Sequence, residues 1–128
     1  MTDKFPDHII VNVNGQQKSV LMSFGLIHEL MKIVSDVTDV QMLLLDPKMQ
    51  ETALGVVFAE RNERGEETRR PGLHELNLSV ADATKVLKWV AAHVLDFFLT
   101  GIEASVETLQ PQEARLKGLM PSGGGSPA

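Results

Sequence analysis

Ser79, the four histidines and the neighbouring Arg69 and Arg70 are the residues of this 128-residue chain with the most obvious capacity for chemistry. A serine nucleophile needs a base beside it and a turn that presents its hydroxyl. No Gly-x-Ser-x-Gly elbow occurs, and Ser79 followed by Asp82 reads better as a helix cap. His8, His28, His74 and His93 are scattered, with no His-Glu-x-x-His helix to bring two ligands to one metal. His93 and Asp96 lie three apart on a helix, a spacing that suits a surface hydrogen bond. The Gly123 to Gly125 cluster has no helix after it to hold a phosphate, so it reads as linker. Arg69 and Arg70 have the charge to grip an anion, but Glu66 and Glu67 cancel much of that field and a solvated loop is the better reading. With no cysteine, disulfides, thiolate metal sites and thiol nucleophiles are excluded. No catalytic residue, metal or cofactor is expected, and the chain reads as a non-enzyme.

Composition narrows the alternatives. Hydrophobic residues make up 43% and charged residues 23%, as in an ordinary packed domain. Twelve Lys and Arg against 17 Asp and Glu leave a net charge of -5, the wrong sign for a phosphate backbone. No Tyr and only 5% aromatics give little for bases to stack on. Nucleic acid is therefore not an expected partner. The first residues lack a basic segment with an apolar run behind it, and no stretch is read as apolar for the roughly 20 residues of a membrane span. A protein that stays in the cytoplasm is the expectation, with no membrane partner.

The elements follow from periodicity. Ile9, Val11 and Val13 alternate with polar residues, Asn14-Gly15 supplies a type I′ turn and Val20 to Met22 resume the apolar character, so residues 8 to 22 read as a β-hairpin. Such a pair is marginal alone and must lean on helices or on another copy. Leu26, Ile27, Leu30, Met31 and Val34 predict a helix over 24–35. Thr38 with Gln41 opens a short helix to Leu45, and Asp46-Pro47 starts a third to about Glu60. Residues 61 to 72 read as a mobile charged loop, and Leu73 to Leu78 as a short strand or extended approach. From Ser79 a long helix runs to about Leu109, its core stripe being Val80, Ala83, Leu87, Val90, Ala91, Val94, Leu95, Phe98 and Ile102. After Pro111 the composition shifts, and residues 121–128 read as a flexible tail. The expected architecture is α+β: an N-terminal β-hairpin, three or four helices with the last one long, and a flexible C-terminal tail. Residues 1–110 form one domain and 111–128 the tail.

The long helix carries more apolar surface than one stripe accounts for. Trp89 projects about 160° from the stripe's centre. It either folds under the charged loop or the hairpin, or anchors a partner, as indoles do at binding hot spots. Phe97, Phe98 and Leu99 spread over about 200° of the helix, so either the hairpin wraps it or a second subunit covers the excess. The candidate partner-binding residues are Trp89, His93, Asp96, Phe97 and Leu99. A further apolar clump of Leu116, Leu119 and Met120 docks back or docks elsewhere.

The Val-Asn-Val-Asn-Gly hairpin, Met22-Ser-Phe-Gly-Leu26 entering a helix, Leu45-Asp-Pro47, the Arg-Asn-Glu-Arg-Gly loop and Val94-Leu-Asp-Phe-Phe-Leu99 stand in an order that resembles the tail assembly chaperones of long-tailed bacteriophages, over residues 8 to 103. The resemblance implies a small non-enzymatic α+β protein of the host cytoplasm that binds the tape-measure protein, keeps it soluble and recruits tail-tube protein. It also implies a homo-oligomer and a longer form, made by a frameshift, to which the glycine-rich ending would be the linker. A structural tail or baseplate adaptor, retained in the particle, is the alternative.

Overall fold

A computed structural model describes residues 6–119, with side chains described through residue 107. The element order is β1 (His8–Val13), β2 (Gln16–Leu21), α1 (Phe24–Leu30), α2 (Val37–Leu43), α3 (Pro47–Val57), β3 (Glu60–Arg61), β4 (Glu67–Arg69), α4 (Leu73–Leu76) and α5 (Val80–Leu119). This is the expected α+β arrangement of hairpin, helices and long final helix, with the single-turn α4 as an additional helical segment. The chain divides into two compact units between Asp96 and Phe97.

The hairpin forms as its turn residues dictate. Asn14 and Gly15 both have positive φ, 52° and 84°, which a two-residue type I′ turn demands. β1 and β2 pair antiparallel in the register His8↔Leu21 to Val13↔Gln16. Alternation then buries Ile9 and Val11 and leaves Ile10 exposed. The helix starts are set by short polar side chains. Ser23 Oγ accepts from Leu26 N–H, and Asp46 accepts from Lys48 N–H with Pro47 at the first helical position. The cap of α2 is Asp36, which accepts from Asp39 N–H, rather than Thr38; Asp39 in turn accepts from the backbone and hydroxyl of Ser35. Aspartate followed three residues later by aspartate does the work that Thr38 and Gln41 were expected to do. Ser79 caps α5 as expected, accepting from Asp82 N–H at 3.0 Å.

Residues 61 to 72 correct the expectation of a mobile loop. β3 and β4 pair antiparallel, and the Asn62 side chain accepts from the backbone of Arg64 and Glu66 to close the turn between them. Arg61 then ties three elements together. Its guanidinium forks onto the Glu29 carboxylate of α1 at 2.8 and 2.9 Å, and donates to Val56 O at the end of α3 and to Gly65 O of the turn. A planar fork that makes two bonds from each terminal nitrogen is what Arg supplies and Lys does not. Arg69 pairs with Glu60 and Glu75, and Arg70 with Glu67. The segment lacks apolar residues yet forms a hairpin, because Arg61, Arg69 and Arg70 are each paired with a carboxylate, Arg61 and Arg69 with carboxylates outside it. The Arg70 stem lies across Gly55, where a Cβ would sit 2.8 Å from it. Leu73 to Leu78, expected as strand or extended chain, holds α4 instead, ended by Asn77 in the left-handed region at φ 48°.

The core gathers Leu30, Val34 and Leu43 from the first helical stretch, Ala53 to Phe58 from α3, and Val86, Leu87, Trp89, Val90, Ala91 and Val94 from α5. The buried part of α5 is shorter and wider than the expected stripe. Val80 is 85% exposed and Ile102 55% exposed, whereas Val86, absent from that stripe, is wholly buried. From Trp89 to Ala91 the buried positions span about 200° at 100° per residue, so more than half the helix circumference is covered there. On one side the cover is β1 and the residue Pro6 ahead of it. The register with β2, together with Met22 N–H donating to Asp7 O, leaves the even-numbered residues of β1 with outward-pointing backbone groups. Asn12 N–H donates to the Asp82 carboxylate at 3.3 Å, Lys85 Nζ to Ile10 O at 3.1 Å and Trp89 Nε1 to Pro6 O at 2.8 Å. Asn14 N–H donates to Leu76 O at 2.9 Å. Residues ascending α5 therefore meet residues descending β1, with α4 closing the far end.

α5 continues beyond the expected end at Leu109 and through Pro111 to Leu119. Residues 111–119, expected as the start of the tail, thus belong to this helix; the flexible tail expected at 121–128, and Met120 of the apolar clump, lie outside the described residues. Over Val80–Glu107 the helix is also long and apolar enough, by length and composition, to cross a membrane. The expectation that no stretch reaches this length is corrected: four carboxylates, two lysines and several small or polar residues interrupt the run without cancelling it.

Two measurements test this packing. Trp89, the only tryptophan, should emit as a buried indole, and Trp89→Phe should lower unfolding stability by about 1–2 kcal/mol in urea titration through loss of the bond to Pro6 and of ring volume; solvent-exposed emission would contradict it. The Arg61 guanidinium holds the Glu29 carboxyl below its ordinary range, its hydrogen bonds outweighing the opposing effect of burial. A depressed folded-state pKa gives stability that is present above the unfolded carboxylate's pKa and lost as pH falls through the folded one. Glu29→Gln should therefore cost about 1 kcal/mol at neutral pH, after allowance for partial exposure, with the gap from the parent narrowing on acidification.

Candidate partner-binding surface

Of the five candidate residues, Trp89 moves from surface to core. It is 5% exposed, its N–H is satisfied by Pro6 O, and its ring meets His93 edge-on with centroids 5.2 Å apart. An indole in that setting is a packing residue of the fold and not an anchor offered to a partner; the reading in which it folds under the hairpin side of the molecule is the correct one. His93 Nε2 lies 2.8 Å from the same Pro6 carbonyl. A carbonyl only accepts, so that nitrogen carries the proton. His93, Asp96 and Phe97 are half-buried and each is engaged in contacts within the chain. Leu99 is the candidate that stands clear, at 49% exposed.

Leu99 has company that the sequence reading assigned elsewhere. Ile102, counted there as core, and Val106, not singled out at all, are each about half exposed. At 100° per residue these three lie within about 60° of arc, one seam of α5 at spacings of three and four. Glu103 and Glu107 flank the seam on one side, one turn apart. Such a surface suits an apolar helix laid along it, its own basic residues reaching the two carboxylates. Nothing in it is suited to bond making: the side chains are aliphatic, and the acids stand exposed.

The signal for this seam was present in element lengths. A 40-residue helix runs about 60 Å, while a six-residue strand spans about 20 Å. No other element among the described residues is long enough to cover such a helix along its whole length. Elsewhere, Phe24 and Leu45 are also well exposed, Phe24 with its ring against His28 at 4.3 Å. Among the described residues no group of three or more His, Asp or Glu comes together as a metal site.

Because Leu99 and Ile102 bury little within the chain, Leu99→Asn with Ile102→Asn should change unfolding stability by no more than about 0.5 kcal/mol. The same pair should lower the fluorescence of an added hydrophobic dye; unchanged dye binding would show that the seam is not open. No protein-family model, curated protein or solved structure matches this chain.

Proposed function

We propose that this chain is a non-enzymatic tail assembly chaperone of a long-tailed bacteriophage, working in the host cytoplasm by binding the tape-measure protein and promoting tail-tube assembly. The observation that carries the reading is the seam of Leu99, Ile102 and Val106, apolar and half exposed on a long helix. A tape-measure protein is a long helical client with apolar faces, and a matching apolar seam on a helix is the simplest surface on which to keep it soluble. The order of sequence motifs from residue 8 to 103 supports the same reading. Trp89 has no part in it, being committed to the core.

Self-association into a homo-oligomer would cover the seam while no client is present, since an exposed apolar strip invites aggregation. A frameshift-extended form would bring the tail-tube protein to the same client. The adaptor alternative differs in permanence: an adaptor stays in the purified particle and an assembly chaperone does not.

Co-expression with the tape-measure protein followed by size-exclusion chromatography should give a soluble complex that elutes ahead of either component. Leu99→Asp with Ile102→Asp should abolish co-elution and return the client to the pellet. A client that stays insoluble beside the parent chain would defeat the proposal, and recovery of this chain in finished particles would favour the adaptor.

A further inference from the structure

The hairpin has one edge closed and one open. Among the described residues β2 pairs only with β1, and the register leaves the N–H and C=O groups of Gln17 and Ser19 directed away from it. Two cavities lie along that open edge. One of about 420 Å³ is bordered by Ser19 to Leu21 of β2 and by Arg61 and Arg64 of the β3–β4 hairpin, with Val57 among its apolar lining. The other, of about 330 Å³, is bordered by Gln16 to Lys18 and by Glu60 and Arg69, with Phe58 in its lining. Both cavities are lined by β2 and reach the end of α3.

Charge selects what fits there. Every carboxylate lining the two cavities is already paired: Glu29 with Arg61, and Glu60 and Glu75 with Arg69. The cations are not all spent. Lys18 lines one cavity and Arg64 the other, and neither the ammonium nor the guanidinium makes a hydrogen bond or ion pair among the described residues. The two linings therefore carry two uncommitted cationic residues and no uncommitted acid. A second copy of β2 does not answer them, because Gln-Gln-Lys-Ser-Val-Leu contains no acid and would bring another lysine against the first.

We propose that β2 is a docking edge for an extended acidic segment of a partner protein, which adds as a strand to the hairpin while its carboxylates meet Lys18 and Arg64. The ladder groups of Gln17 and Ser19 supply affinity without regard to sequence, and the two cations select for acid. This edge uses none of the residues of the seam on α5, so either proposal stands if the other fails.

The test uses the full chain and two labelled six-residue peptides with blocked ends, one alternating Val with Asp and the other Val with Lys. Fluorescence anisotropy should show the acidic peptide binding at least tenfold tighter, and hydrogen exchange by NMR should show the Ser19 amide slowed when it is bound. Lys18→Glu with Arg64→Glu should weaken the acidic peptide at least tenfold and strengthen the basic one. Ser19→Pro removes an outward donor without touching the pairing to β1, and should reduce binding of the acidic peptide with the melting temperature held. Equal binding of the two peptides, no binding at millimolar concentration, or an unchanged Ser19 amide would overturn the proposal. So would protection of Ser19 that rises with protein concentration in the absence of peptide, which would mark a second copy as the occupant.

Discussion

The outer edge of β1 is the constraint on which the first 96 residues turn. A two-stranded sheet leaves half of its backbone groups without ladder partners, and a hydrogen bond that meets such a group contributes about 0.5–1.5 kcal/mol, toward the low end where the edge is exposed, as here. Here they are met by side chains from one stripe of α5: Asp82 for Asn12, Lys85 for Ile10, Trp89 and His93 for Pro6. The α4 carbonyl of Leu76 meets Asn14. Because these contacts run in order, they fix the position of the hairpin along the helix, and Ile9 and Val11 are delivered to the core as a result. Trp89 belongs to this mechanism more than to any other. Its ring fills volume and its N–H serves the edge, so an amphipathic residue does both tasks where Phe would do one.

A second fastening acts on the other hairpin. Arg61 holds the start of β3 to α1 and to the end of α3 by one guanidinium. The segment that follows has too few apolar residues to pack, and its order rests on ion pairs and on Asn62. Exposed ion pairs contribute little singly, but four of them around a short hairpin, with one partly buried and bidentate, restrict the chain enough to define it.

Much of this fold was legible because local rules dominated locally. Asn14-Gly15 permits little besides a tight hairpin, and Asp46-Pro47 and Ser79 mark helix starts that the structure keeps. The charged stretch was misread because low hydrophobicity was taken for lack of order, when the pairing partners of Arg61 and Arg69 lie far away in sequence or in a different element. Trp89 was misplaced for a related reason. Helical periodicity locates a residue on its own helix, but the identity of whatever covers the opposite face depends on Pro6, 83 positions earlier. Leu99 was found because three large apolar residues in succession cannot share one face. Ile102 and Val106 were not, since a stripe drawn by periodicity alone carries no information about where the covering elements stop.

One closed edge and one open edge also decide how far a sheet built from this hairpin can grow. Cross-β stacking needs every strand to offer both sides, so that each newcomer becomes the template for the next. In this chain helix side chains occupy the β1 side, so a second copy that docked through its own β2 would leave neither copy an open edge to offer. Copies of this hairpin therefore end a sheet after one pairing instead of extending it.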